Sequence, residues 1–470
     1  YTLDAQNWWS VRIDATSGDL LNKANWVTHC QHGSYINQDR LERKTNGQHS
    51  HQNCKENHIT HSDKTQMMGT YNVFAIPLES PIHGNRSNVV DPADAVASPF
   101  GWHDANGVTG AEFTITRGNN VHAYADTADM NQPNPSLPEP DGGANLVFDF
   151  PLDLNLEPET YLDAAVTNLF YWNNIIHDVM YQYGFDEASG NFQENNYGNG
   201  GSGSDSVNAD AQDGSGTNNA NFGTPPDGSN PRMQMYYYNA PPGLFVNAPA
   251  NIAGQYEAGS GFGGEHTLVG VTGDVELVDD GTDVTSDGCT AINGFTPGNI
   301  ALIDRGACEF GDKALNAENA GASAVIIVNN QGDSPMGMAS GTNGDQVTIP
   351  TLSLGQSNGQ ILKDELANGV NVTASRVGVD RDSDFDSGII VHEYGHGISN
   401  RLTGGPQASS CLQNDEQMGE GWSDFYALAF TAQVGDTAEQ TRAMGTYATQ
   451  NSRGIRTYPY TRDMNVNPHT

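Results

Sequence analysis

The chain has 470 residues, 36% of them hydrophobic, which is enough for about two to four domains with cores of their own. Its 57 Asp+Glu against 20 Lys+Arg give a net charge of −37, excluding the basic patches that nucleic acid or an anionic membrane surface would need. No apolar run reaches the roughly 18 residues of a membrane span, so none is expected.

Residues 1–28 read as a hairpin, with Asn7 to Asp14 as one arm, a turn at Ser17-Gly18 and Leu20-Leu21 opening the other. Residues 29–66 are polar and hold six of the 14 histidines; they read as a solvated linker rather than a metal-binding tract. Short strand-like runs alternate with turn residues over 67–160. From Tyr161 to Tyr183 an amphipathic helix is predicted, and His177-Asp178 on it reads as a hydrogen-bonded pair. Residues 198–230, rich in Gly, Asn, Ser and Asp, read as loops whose oxygens make calcium a candidate ligand, although the EF-hand pattern is absent. Pro231 to Tyr238 is strand-like.

A composition shift sets residues 240–377 apart. Within them Asn299 to Gly306 reads as a buried strand, Ala314 to Ala320 as a helix stopped by Gly321, and Ala324 to Asn330 as a second strand. That is a β-α-β unit without a phosphate loop.

The most informative run follows: His392-Glu393-Tyr394-Gly395-His396, with Gly419-Glu420-Gly421-Trp422-Ser423-Asp424 downstream. Two histidines four residues apart project from one helix face, so their imidazoles can reach one ion at about 2.0–2.1 Å. Glu420, on a second predicted helix from Gln417 to Ala432, completes a three-ligand zinc site and leaves one position for water. Glu393 follows the first ligand and is the candidate general base. Asp424, one turn beyond Glu420, is the candidate acceptor for the other ring N–H of a ligand histidine. Asp386 or Ser387 is the expected N-cap and Gly404-Gly405-Pro406 the stop. Ile390, Tyr394, Ile398 and Leu402 are expected to form a packed stripe. Gly395 and Gly397 cost about 1 kcal/mol each in a helix, so close approach of other groups is expected there.

Five cysteines stand at 30, 54, 289, 308 and 411. Pairings Cys289–Cys308 and Cys30–Cys54 are both sequence-local candidates, leaving Cys411 over.

These residues together resemble the fungalysin family of secreted, thermolysin-like zinc metallopeptidases. The likeness is carried by Leu169 to Asp178 with Gly190 to Gln193, by Asp210 to Gly216 through Asn221-Phe222 to Met233, and by His392 to Gly405 with Gly419 to Asp424. It implies an α+β fold with His392, His396 and Glu420 on zinc and Glu393 as base, cutting internal bonds of proteins or peptides outside the cell. Asn219 and Ala220 are implied to begin an edge strand that adds the substrate as a further strand. Residues 240–377, through Ala301 to Phe310 and Asn329-Asn330, resemble an inserted protease-associated domain, a module thought to influence substrate access in other peptidases. Residues 1–28 resemble the end of a prosegment and 29–66 a maturation region, with 67–239 and 378–470 as the two parts of the catalytic domain. One departure is that His469 is the only histidine after His396, and no tyrosine lies between His396 and Glu420. The family's oxyanion donor is thus expected beyond Thr470, in a longer enzyme of which this chain is a fragment that cleaves poorly by itself. The rival readings are a zinc aminopeptidase, for which no amine anchor is recognisable, and a non-catalytic binding protein.

Overall fold

The computed structural model describes residues 9–13, 20–25, 69–412 and 418–469. The chain divides into two compact units, Tyr1–Lys64 and Thr65–Thr470. In the first, β1 (Trp9–Ile13) pairs antiparallel with β2 (Leu20–Asn25), the expected hairpin. The linker, its histidines and the proposed Cys30–Cys54 pairing lie outside the described residues.

The second unit begins with β3 (Thr70–Val73), β4 (Ser87–Val90), β5 (Val121–Ala125) and β6 (Val147–Phe148), followed by helix α1 (Leu162–Gln182). Then come β7 (Val207–Ala211), β8 (Ala220–Gly223), β9 (Arg232–Met235) and β10 (Tyr237–Tyr238). The predicted strand over 231–238 is thus broken at Tyr236, because Tyr237 and Tyr238 leave the sheet to pair with residues 381–382. Four strands form a sheet in the order β5-β7-β9-β8, which puts β8 at an edge.

Helix α1 is buried on nearly every side. Its Trp172 is 0% exposed, and the indole N–H donates to the Phe74 carbonyl at 2.9 Å. Asn168 accepts from the Phe74 N–H at 3.0 Å and donates to the Asp384 carbonyl at 2.7 Å. Those bonds tie α1 both to the end of β3 and to the segment that leads into the histidine-bearing helix. His177 Nδ1 and Asp178 Oδ1 are 2.9 Å apart, and Asp178 also accepts from Trp102 Nε1 at 2.8 Å and from Ser98 Oγ at 2.6 Å, so the pair is satisfied inside the core.

Between β10 and its partner lies a seven-stranded sheet built from β11 (Pro242–Ala248), β12 (Gly254–Glu257), β13 (Val271–Leu277), β14 (Ile300–Asp304), β15 (Ala324–Val328), β16 (Thr351–Leu354) and β17 (Asn371–Arg376). Helices α2 (Phe310–Asn319) and α3 (Gln356–Glu365) cover its two faces. Ile300, Leu302 and Ile326 pack toward Leu362 of α3, whereas Ala301, Ile303 and Ile327 pack toward Ala314 and Ala317 of α2. A strand buried on both faces cannot alternate apolar with polar residues, which is why β14 and β15 read as unbroken apolar runs. Helix α2 starts four residues before the predicted Ala314, and the predicted stop at Gly321 adopts φ +97°. The disulfide Cys289–Cys308 forms in this part of the chain, with Cα atoms 5.7 Å apart, and Cys411 is free.

The chain returns through β18 (Arg381–Asp382), antiparallel to β10, and enters α4 (Ser387–Gly404); α5 (Gly419–Phe430) follows. Among the described residues no helix is long and apolar enough to cross a membrane.

Asp382, Asp384 and Asp386 between β18 and α4 are each 0% exposed. Asp386 stands at the helix start, but its side chain does not cap α4 as expected; Oδ2 accepts from the Ala448 N–H at 3.3 Å instead. Burial, reinforced by the nearby Glu79 carboxylate, pushes Asp386 up to about 7. A carboxyl that holds its proton more tightly when folded stabilises the fold at low pH, and that stabilisation is lost as pH rises through the folded value. Wild type should therefore lose on the order of 3 kcal/mol of stability between about pH 4 and pH 7 through this group. Asp386→Asn should flatten that window, so urea midpoints of variant and wild type diverge at pH 8 and converge at pH 4.

Candidate metal centre

Two glycines two residues apart leave helix α4 bare on nearly opposite sides. A Cβ on Gly395 would lie 3.0 Å from the Ser423 Cα and one on Gly397 2.6 Å from the Phe222 ring. The close approach expected from these helical glycines therefore has a cause: α5 packs against Gly395, and the Phe222 and Phe192 rings pack against Gly397. Ile390, Tyr394 and Ile398 are fully buried as expected, but Leu402 is 46% exposed. The stripe turns outward at the last turn, where α4 ends at Gly405 with φ +83°.

That packing brings α5 across the two histidines. His392 Nε2 lies 3.1 Å from His396 Nε2 and 3.2 Å from Glu420 Oε2, and His396 Nε2 lies 3.5 Å from Glu420 Oε1. Ligands on tetrahedral arms of 2.0–2.1 Å stand about 3.3 Å apart, so the spacing of these donors suits one small divalent cation. The donor set suits it too, with two imidazoles and a carboxylate. His392 Nδ1 faces Asp424 Oδ1 at 2.6 Å; a carboxylate can only accept, so Nδ1 carries a proton and Nε2 is the nitrogen left to face the other two donors, where a bound cation would take the place of its proton.

Burial lowers the proton affinity of His392, but the Asp424 and Glu420 carboxylates more than offset it, raising the group to about 9. The His392 contact holds Glu420 down at about 2. Burial pushes Glu393 up to about 7, partly opposed by the positive charge of His392. Glu393 is 6% exposed and borders a groove of about 620 Å³ together with His392, His396 and Glu420.

The same groove is lined by Asn219, which precedes β8, and by Ala220, its first residue, with Asn218, Asn221 and Phe222. On its other side β8 pairs with β9, Ala220 opposite Met235. Its free edge therefore faces the two histidines.

Arg456 was not recognisable from sequence. Its Nε and one terminal nitrogen each lie 2.7 Å from the two oxygens of Asp424, and that nitrogen is 3.5 Å from Glu420 Oε2. Tyr460 donates to the same Asp424 oxygen as Arg456 Nε. Asp424 thus receives bonds from an imidazole, a guanidinium and a phenol, and burial does not keep it from falling below the usual carboxylate range. No spacing rule points to residues 32 and 36 positions further on; the available signal was chemical, since two clustered carboxylates call for a cation.

A match to the family profile described as Fungalysin metallopeptidase (M36) extends over residues 70–470. The chain belongs to the fungalysin family. It is 31% identical over 408 residues to Extracellular metalloproteinase 2 of Trichophyton tonsurans, covering 85% of this chain and 42% of that protein. Extracellular metalloproteinase 2 of Phaeosphaeria nodorum is 32% identical over 405 residues, with the same two shares. The chain thus spans less than half the length of these fungalysin relatives. Among solved structures, a zinc aminopeptidase from Bacillus subtilis matches 31% of this chain and 33% of its own at 28% identity, with a TM-score of 0.22, too low to carry an argument.

A second group of carboxylates in this fungalysin, Asp126, Asp210 and Asp213, is buried with ligand atoms close together. Arg232 supplies the positive charge there, pairing with Asp210, with Asp213 at 3.4 Å and with Asp126 at 3.6 Å.

Proposed function

We propose that the chain is the zinc-bearing part of a secreted endopeptidase that cuts internal bonds of proteins or peptides. His392, His396 and Glu420 hold the zinc and Glu393 is the general base. The observation that carries this reading is the 3.1–3.5 Å spacing of the three donors. A zinc ion held by these three residues would supply Lewis acidity, for polarising a scissile carbonyl and acidifying a water molecule. Glu393, buried at the lip of the groove, accepts the water's proton and hands it to the leaving nitrogen. Its raised proton affinity suits a group that must both take and give a proton near neutral pH. Asp424 fixes the tautomer and ring plane of His392, and Arg456 positions Asp424 by holding both its oxygens. The free edge of β8, from Ala220 with Asn219 just before it, aligns an extended substrate by strand addition.

Residues 240–377 are proposed as an inserted protease-associated domain, 1–28 as the end of a prosegment and 29–66 as the maturation region of a zymogen. The catalytic domain then comprises 67–239 and 378–470. The family match beginning at residue 70 supports a catalytic part that starts after the maturation region, and the extracellular naming of the relatives supports secretion. For calcium, support is limited to the oxygen-rich composition of 198–230.

End-blocked peptides test the reading on the full-length enzyme. They should be cut internally, with activity lost to phenanthroline and restored by added zinc. A requirement for a free amino terminus would instead favour the aminopeptidase reading, and zinc-free protein without hydrolysis the binding-protein reading.

A further inference from the structure

A second cavity of about 580 Å³ adjoins the groove and shares Asn218 and Asn239 with it. One wall is Thr217, Asn218 and Tyr237 beside β8 and β10; the other is the loop Ser260 to His266 of the seven-stranded part, with Arg376 and Asp380. The cavity therefore lies where the free edge of β8 points away from the metal centre, at the strand's N-terminal end.

The loop is a stiff wall. Gly259 and Ser353 exchange backbone hydrogen bonds of 3.0 and 2.8 Å, Gly264 N–H donates to the Ile349 carbonyl at 2.8 Å, and His266 Nε2 meets the Thr351 carbonyl at 3.1 Å. A Cβ on Gly261 would lie 1.9 Å from the Met338 carbonyl oxygen and one on Gly264 2.1 Å from that of Thr348, so backbone packs directly on backbone. A preformed wall lets a bound chain gain contacts without first ordering the protein.

Its charge is one-sided. Glu265 is exposed, and Arg376, the one guanidinium lining the cavity, is already paired with Asp380 at 2.6 Å and with Glu157. Burial lowers His266, leaving it neutral. Two carboxylates against one guanidinium give the lining a formal charge of −1, with Glu265 the unpaired member among the described residues.

We propose that this cavity is a distal subsite of the endopeptidase, receiving a stretch of the same peptide substrate that carries a lysine or arginine. It rests on the endopeptidase reading above. A peptide laid along residues 218–222 uses about five of its own residues before it meets the loop, at about 3.3 Å per residue. Continuity with the catalytic groove makes substrate, rather than an unrelated ligand, the occupant. Binding a remote part of the substrate raises kcat/KM without touching the reacting atoms.

The test uses the full-length enzyme and end-blocked peptides sharing one cleavage sequence. One is a hexapeptide; the others are extended by six residues toward either end, bearing two lysines or two glutamates. Extension toward one end with lysines should raise kcat/KM about five- to tenfold over the hexapeptide, and glutamates should give no gain. Glu265→Lys, an exposed loop change, should erase the lysine advantage while hexapeptide cleavage stays at the wild-type rate. No gain on extension, equal gain with glutamates, or a lysine gain that survives Glu265→Lys overturns the proposal. Failure to cut even the hexapeptide would sink the endopeptidase reading itself, and the subsite with it.

Discussion

Glu393→Gln in the full-length enzyme is expected to keep zinc at the wild-type level while casein hydrolysis falls about 10²–10⁴-fold. The substitution preserves shape and leaves His392, His396 and Glu420 untouched, so the metal should stay. It removes the one carboxylate on α4 between the two histidines, so no group there can accept the water's proton. Zinc analysis beside the hydrolysis assay separates the two effects. A variant that still cut protein at a normal rate would place the base on another residue. If zinc vanished together with activity, Glu393 would be acting in metal retention.

Arg401→Met should be the most damaging single change to stability. Arg401 lies five residues beyond His396 on α4 and is 0% exposed. Its guanidinium meets Asp205 at 3.1 Å and Asp227 at 3.4 Å, both largely buried, and donates to the Gly190 and Pro225 carbonyls at 3.0 and 2.8 Å. It also sits 4.9 Å from the centre of the Phe192 ring. Methionine has similar bulk but leaves two carboxylates buried without a cation, which costs about 3–5 kcal/mol. A urea titration of variant against wild type measures it. Because Arg401 gathers the loops at 190 and 225–229 onto the histidine helix, the same variant should also lose zinc at lower denaturant concentrations than wild type. A midpoint within error of wild type would mean the ion pairs contribute nothing net.

The convergence of His392, His396 and Glu420 was legible because its spacing is written locally. Four residues of helix fix the His392–His396 relation, and Glu420 with Asp424 repeats the trick one helix later. The same holds for α1 and for the β14-α2-β15 unit, where burial on both faces leaves uninterrupted apolar runs. Three things were not legible, each for a physical reason. The break at Tyr236 depends on a partner strand 145 residues away, Tyr237 opposite Asp382. Leu402 reads as part of an apolar stripe, but exposure at the last turn of α4 is set by what α4 packs against, not by its own periodicity. Arg456 joins the centre through a long chain reversal after α5, and an isolated arginine carries no periodic or spacing signal. The Asp386 side chain illustrates a subtler miss: its position at the helix start was right, yet the Ala448 N–H had the stronger claim on it.

The antiparallel pair β10–β18 has an entropic corollary. Tyr238 sits opposite Arg381, so the polypeptide departs toward the seven-stranded sheet and comes back at neighbouring points of one short ladder. A segment attached at two such neighbouring points constrains the rest of the fold by a single loop closure, and the entropy of that closure grows only slowly with the number of residues enclosed. Lengthening or shortening the 142 residues between Tyr238 and Arg381 therefore adds little closure entropy to the ladder that joins their ends.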